Sequence, residues 1–305
     1  MPSSIPGAGT IESFEMPQIF TMNAPEFLLD DWCGLRWSAW LPFDGGDFKS
    51  IDRGAGLYRI RATGSASIAY IGQTGRNLHE RLTDLRRHTM ADLMPFNDPH
   101  PAASSLWAWR HAAGYGFACS VAATGVHRRI RLAIECWLLW KYRLTAGAST
   151  LCNHGHFHSA YVKSGNRSTK LRGGQRSEVD DTCVQISSHP PLILRSIPSA
   201  QDWMGLEWSG RYSLGTIPAG GYPALYRIFD AKTEKLLYFG ETQNFGQRMR
   251  SHAQKDWNGR APVVSFCRMP ESISKVHLHE LENDLIGAYF EASRAAPELQ
   301  FSGGN

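Results

Sequence analysis

The sequence predicts an α+β chain built as two tandem modules, each a small antiparallel β-sheet flanked by helices. Two observations carry that expectation. Short motifs recur in order along the chain, and within each recurrence β-rich runs alternate with helical periodicity. Residues 31–38 read DWCGLRWS and residues 202–209 read DWMGLEWS, a match at six of eight positions. LYRI follows in both copies, at Leu57–Ile60 and Leu225–Ile228. Tyr70-Ile71-Gly72 and Tyr238-Phe239-Gly240 complete the series, each tyrosine 12 residues beyond the LYRI tyrosine. Three ordered echoes at offsets of 171, 168 and 168 define a duplication. The modules are placed at 27–162 and 200–305. A Pro/Ser/Gly-rich, flexible N-terminus (1–26) precedes them, and a basic linker (163–199, containing KSGNRSTKLRGGQR) joins them.

In module 1, LYRIR and IAYI flank ATGSAS, a hairpin signature. Asn77 is positioned to cap the helix NLHERLTDLRRH. A strand follows at about 116–122, then a helix over about 126–144 whose Ile130, Ile134, Trp137 and Leu138 keep helical spacing. Module 2 repeats the order with ALYRIF, LLYFG, a helix from Asn244, a strand at 263–268 and a helix from about Ser274. Module 1 carries an insertion that module 2 lacks, PFNDPHPAASSLWAWRHAAG. Trp32, Trp37, Trp203 and Trp208 recur with the repeat and read as core, whereas Trp107 and Trp109 suit either a recognition element or a satellite core.

Bulk properties bound the function. With 42% hydrophobic and 20% charged residues, the composition is that of a packed globular chain. A net charge of +4 permits a polyanionic partner without requiring one. No apolar run approaches membrane-spanning length, and the N-terminus lacks the basic start and apolar core of a secretory signal. Six cysteines, none in a CxxC pair, predict reduced thiols and a cytoplasmic setting.

The constellation inside each module is Tyr, Tyr, Arg and Glu in fixed order. Module 1 supplies Gly56-Leu57-Tyr58, Tyr70-Ile71-Gly72, Arg81, Glu135 and Asn153. Module 2 supplies Ala224-Leu225-Tyr226, Tyr238-Phe239-Gly240, Arg248, His252 and Glu282. Glu282 rather than Glu280 matches Glu135, because Leu285, Ile286 and Tyr289 repeat Leu138, Leu139 and Tyr142 at +3, +4 and +7. In motif and order both modules resemble the GIY-YIG nucleases, over about three quarters of the chain. The resemblance implies a GIY-YIG-like fold twice over and hydrolysis of DNA phosphodiester bonds. It implies catalytic roles for Tyr58, Tyr70, Arg81, Glu135, Asn153, Tyr226, Tyr238, Arg248, His252 and Glu282. It implies Mg²⁺ or Mn²⁺ held by Glu135 and Glu282.

These residue types suit that chemistry. A guanidinium stabilises the charge that builds on the phosphoryl oxygens. A carboxylate with several waters suits a hard divalent ion. A tyrosine hydroxyl can orient the attacking water. The copies depart from the family in different places. Leu85 stands four residues after Arg81, where module 2 has His252, and His88 lies a turn further on. Ala224 replaces the first glycine, and Gln300 falls where Asn153 is expected.

Solvated helix faces or phosphate contacts both explain Arg86, Arg87, Arg128 and Arg129. The run Cys152-Asn153-His154-Gly155-His156-Phe157-His158 invites a zinc reading, but no second ligand pair accompanies it, so a loop or DNA contact is expected. The leading expectation is a divalent-metal-dependent DNA endonuclease, restriction- or defence-like, acting on double-stranded DNA as a monomeric fused pseudo-dimer. A structure-specific repair or recombination nuclease and a DNA-binding protein with degenerate sites are the alternatives.

Overall fold

A computed structural model of the chain describes residues 24–97, 100–177, 187–217 and 220–302. Among these, the first half runs β1 (Leu41–Pro42), β2 (Gly56–Ala62), β3 (Ile68–Thr74), α1 (Leu78–Thr89), α2 (Ala103–Ala113), β4 (Phe117–Ala123) and α3 (Arg128–Ala146). A hairpin of β5 (Tyr161–Val162) and β6 (Gly174–Gln175) follows. The second half runs β7 (Tyr212–Ser213), β8 (Ala224–Asp230), β9 (Leu236–Thr242), α4 (Phe245–Ala253), β10 (Pro262–Arg268) and α5 (Lys275–Ser293).

Two four-stranded sheets form among the described residues, ordered β1-β4-β2-β3 and β7-β10-β8-β9, with every pairing antiparallel. Their registers agree. Tyr58 lies opposite Gly72 and Ile60 opposite Tyr70, as Tyr226 lies opposite Gly240 and Ile228 opposite Tyr238. The pairing shifts at the same point in each, after Ile60 and after Ile228. Asn77 and Asn244 cap α1 and α4 through their side chains, as the sequence predicts.

The tryptophan echo has a structural cause. Trp37 Nε1 donates to the Trp32 carbonyl at 3.0 Å, and Trp208 Nε1 to the Trp203 carbonyl at 2.9 Å. Between them, Cys33 and Met204 take left-handed backbone (φ 58° and 60°). The buried Arg59 and Arg227 guanidiniums lie 4.3 Å over Trp37 and Trp208. Arg59 is further held by the carbonyls of Phe27 and Leu29, and Arg227 by that of Pro198. Each sheet is thereby anchored to the chain that enters it.

Each sheet has two covered faces. Tyr58, Ile60, Leu78, Leu82 and Leu85 share one core, and Tyr226, Ile228, Phe245 and Met249 share its counterpart. The opposite faces merge into one core through α3 and α5, which pack against each other. That contact is close because Gly287 has no side chain. A Cβ there would stand 2.8 Å from both the Cys136 carbonyl and Trp140 Cβ. Asn283 Nδ2 donates to the same Cys136 carbonyl at 3.1 Å.

Contacts between α3 and α5 come in exchanged pairs. Trp137, two residues after Glu135, packs on Phe290, eight after Glu282. Arg143, eight after Glu135, bonds Asp284, two after Glu282, at 2.5 Å. The buried Arg143 also donates to the Glu280 and His189 carbonyls. Glu280 accepts from Ser149 and Ser187 and bonds His156.

Several segments outside the clusters take definite places. The segment read as a basic linker enters the β5–β6 hairpin, which straddles residue 162, and Arg172 stacks over Phe96. Leu192 and Leu194 further along pack on the shared core. His156 does lie in a loop, but instead of being exposed it is buried between the halves, where its Nε2 bonds Glu280. Trp107 belongs to a satellite core with Met94 and Tyr161. Residues 1–23, Glu178 and Cys183 lie outside the described residues.

Candidate active site

In the second half, the functional side chains converge on the end of the β8–β9 hairpin. Tyr226 from β8 and Tyr238 from β9 stack with ring centroids 6.2 Å apart and an interplanar angle of 26°. Gly240 is required opposite Tyr226, since a Cβ there would lie 2.2 Å from the phenol Cζ and Oη. From α4, Arg248 Nε donates to the Tyr226 hydroxyl at 2.8 Å, and His252 Nε2 bonds the same oxygen at 2.9 Å. Arg248 and His252 share this point because four residues return to one helical face. α5 brings Glu282 beside them. Burial pushes its carboxyl up to about 8, with Glu241 adding to the rise and Arg248 opposing it. Burial also raises the Tyr226 hydroxyl well above its ordinary range, and burial with the Arg248 charge lowers His252 to about 4. The histidine is therefore a neutral imidazole at pH 7.

The first half repeats this arrangement with one substitution of source. Tyr58 and Tyr70 stack at 6.1 Å and 26°, and a Cβ on Gly72 would lie 2.5 Å from the Tyr58 hydroxyl. Arg81 from α1 hydrogen-bonds Tyr58, whose hydroxyl burial pushes up to about 12. Glu135 from α3 is half-buried, and burial raises its carboxyl to about 7 against the pull of Arg81 and Arg131. The histidine comes from the insertion. His100 Nε2 bonds the Tyr58 hydroxyl at 2.9 Å, the distance His252 keeps from Tyr226. Its ring lies 5.8 Å from Tyr58 and 5.5 Å from Tyr70, against 5.3 and 5.7 Å for His252 with Tyr226 and Tyr238. The Ala102 amide donates to His100 Nδ1 at 3.2 Å, which puts the proton on Nε2 and makes His100 the donor to Tyr58. Leu85, where His252 has its counterpart, is buried in the core beneath. His88 makes none of the contacts that place His100.

The expected Asn153 stands outside this cluster of side chains. Its Oδ1 accepts from the Ile71 amide at 2.9 Å and its Nδ2 donates to the Ile71 carbonyl at 2.8 Å. Gln300 takes the matching place, its Oε1 accepting from the Phe239 amide at 2.8 Å. Both amides clamp the strand between the second tyrosine and its glycine, so the two halves agree where their sequences differ.

Sequence reasoning missed His100 and the use of Gln300. A signal for His100 existed, since the module lacking a histidine at Arg+4 is the one whose insertion contains histidines. The arginines read as possible phosphate contacts have protein partners. Arg86 donates to the Gly46 carbonyl, Arg87 to Asp84, Arg128 to Phe301 and Arg129 to Pro297. Arg128 and Arg129 nonetheless line, with Arg76, Arg81 and Arg131, an open cleft of about 930 Å³ beside the first cluster. Of Cys152, His154, His156 and His158, none falls in a metal-like group among the described residues.

No helix among the described residues is long and apolar enough to cross a membrane. Residues 222–293 match the family model described as the GIY-YIG catalytic domain. No curated protein and no solved structure matches the chain. The match begins just before β8, ends with α5, and so contains Tyr226, Tyr238, Arg248, His252 and Glu282. Residues 222–293 thus carry a GIY-YIG catalytic domain.

Proposed function

We propose that the chain is a divalent-metal-dependent DNA endonuclease in which residues 27–162 form a second GIY-YIG-like module beside that of residues 200–305, the two acting as a fused pseudo-dimer on double-stranded DNA. One observation carries the reading: the Tyr–Tyr–Arg–His–Glu cluster of the matched residues recurs in the first half, with His100 standing where His252 stands. The exchanged contacts of α3 and α5 support the pseudo-dimer, because a twofold relation between homologous surfaces produces such pairs. Two sites in one chain suit cleavage of both strands, which favours a restriction- or defence-like role.

The metal fits the donors present. Glu135 and Glu282 are desolvated carboxylates beside a guanidinium, each held partly protonated by burial, and a divalent cation would restore their charge. When bound, the ion supplies Lewis-acid stabilisation of a phosphate oxygen. Arg81 and Arg248 place fixed positive charge against the scissile phosphate. Tyr58 and Tyr226 orient the attacking water. The Tyr58 oxygen accepts from His100, while His252 meets Tyr226 as a neutral imidazole able to take a proton. The cleft with Arg76, Arg128 and Arg129 fits a DNA backbone entering the first site.

Supercoiled plasmid incubated with Mg²⁺ or Mn²⁺ tests this. Wild type is expected to convert it to nicked and linear forms, Glu135→Ala or Glu282→Ala alone to stop at the nicked form, and the double variant to leave it intact. Equal cleavage by wild type and double variant would refute the proposal.

A further inference from the structure

The two glutamates do not stand in equivalent surroundings. Beside Glu282 lie His279, three residues earlier on the same face of α5, and Glu241, the residue after Gly240 on β9. One ligand atom from each of the three falls within 4.8 Å of the others, and His279 Nδ1 is 3.4 Å from a Glu241 carboxylate oxygen. In the first half the matching positions hold Gln73 and Leu132. Gln73 accepts from Arg131 Nε at 2.8 Å, so the side chain that matches Glu241 is engaged by a cation. Glu135 is left as a solitary carboxylate.

A second observation points at the same place from the other half of the molecule. His154, with left-handed backbone (φ 57°), reaches across to line a cavity of about 440 Å³ together with His279 and Glu282. Its Nε2 is sealed from solvent and has no hydrogen-bond partner among the described residues. A buried imidazole nitrogen without a partner is costly unless something else uses its lone pair.

We propose that Glu241, His279 and Glu282 form a three-ligand site for a transition-metal ion, Mn²⁺ or Zn²⁺, with His154 closing its wall, and that the first half has no such site. One imidazole with two carboxylates suits these ions. Mg²⁺ binds through one or two carboxylates and its own waters and gains little from a nitrogen ligand. Metal–ligand bonds of about 2.0–2.2 Å set opposed ligand atoms no more than about 4.4 Å apart. The present spread therefore needs only small rotations of Glu241 and of the half-exposed His279. The chain thus carries two sites with different metal demands, one that any hard divalent ion satisfies and one that selects for nitrogen affinity.

This inference rests on the nuclease reading for the ion's use but not for its binding, so the two are separable by experiment. The full chain is titrated with Mn²⁺ and free Mn²⁺ is followed by electron paramagnetic resonance, beside Glu241→Gln, His279→Leu and Glu135→Gln. Thermal melting establishes that each variant is folded. Wild type and Glu135→Gln are expected to hold one tight Mn²⁺ that equimolar Zn²⁺ displaces and equimolar Mg²⁺ does not. Glu241→Gln and His279→Leu are expected to weaken it by at least about tenfold, the lower bound for losing even an outer-shell partner. Unchanged affinity in either of those two, loss of the ion in Glu135→Gln, or displacement by Mg²⁺ overturns the proposal. Plasmid cleavage on the same samples separates the readings. Binding as expected with no cleavage in any metal removes the nuclease reading and leaves the metal site. Cleavage with no tight Mn²⁺ site does the reverse.

Discussion

At the residue scale, each cluster turns on what the tyrosine oxygen can accept and from where. Arg248 can only donate to Tyr226, and the lowered His252 stays uncharged at rest, so the Tyr226 oxygen meets one fixed cation and one neutral imidazole. His100 gives the first half the same contact from an unrelated part of the chain. Replacing it therefore has a defined outcome. His100→Ala is expected to lower nicking at the first site by roughly 10²–10⁴-fold, measured in a Glu282→Ala background, whereas His88→Ala leaves the rate unchanged. Equal effects of the two substitutions would remove His100 from the site. Glu282 makes a second expectation, this one on stability. A carboxyl raised from 4.5 to about 8 by burial destabilises the fold as pH climbs through that interval, because the unfolded chain ionises first. Without metal, Glu282→Gln should gain stability on the order of 1–3 kcal/mol in urea unfolding at pH 8–9 and nothing at pH 4. A gain at pH 4, or none at pH 9, contradicts the desolvation.

At the element scale, the crossing of α3 and α5 positions both glutamates, since each helix carries one. The approach depends on Gly287 lying over Cys136 and Trp140. Gly287→Ala sets a methyl 2.8 Å from backbone, which the helices relieve only by separating. A stability loss of about 1–3 kcal/mol is expected despite the better helix propensity of alanine, and chemical denaturation checks it. A stabilised variant would show that the contact yields. The insertion shows the opposite use of an element. α2 packs on α1, and the turn that starts it delivers His100 to the Tyr58 hydroxyl, so a side chain absent from α1 is replaced by one from its neighbour. Local pattern, a capping asparagine for α1 and apolar periodicity for α3, identified the helices that flank this insertion. It did not identify α2 as functional, since nothing in a run of alanines, serines and tryptophans states which residue before it turns inward.

At the scale of the whole molecule, the exchanged contacts between the halves are chemically unequal, Trp137 with Phe290 and Arg143 with Asp284. Like halves paired with each other would set Arg143 against a tryptophan, or Asp284 against a phenylalanine, and leave a buried charge alone. The fused arrangement is the one in which both charges find partners. Burial pushes the Glu280 carboxyl up, but hydrogen bonds from His156, Ser149 and Ser187 with the Arg143 charge overcome it and hold it at about 2. Removing the guanidinium while keeping the carboxylates is accordingly expensive. Arg143→Met is expected to cost about 3–5 kcal/mol in equilibrium unfolding, and a loss under 1 kcal/mol would show the network to be dispensable.

The sequence by itself showed the recurring motifs, the order of strands and helices along the chain, the helix caps and where the tyrosines, arginines and glutamates fall. These are set by local periodicity and by motifs whose spacing survives in one dimension. Only the tertiary structure decided that His100 stands in for His252, that Gln300 and Asn153 clamp equivalent strands, and that His154, His156 and Glu280 belong to the seam between the halves. It also separated the surroundings of Glu135 from those of Glu282. The physical reason is the same in each case. A side chain's partner is chosen by what packing brings within about 3 Å, and those partners come from segments whose distance along the chain carries no record of the contact.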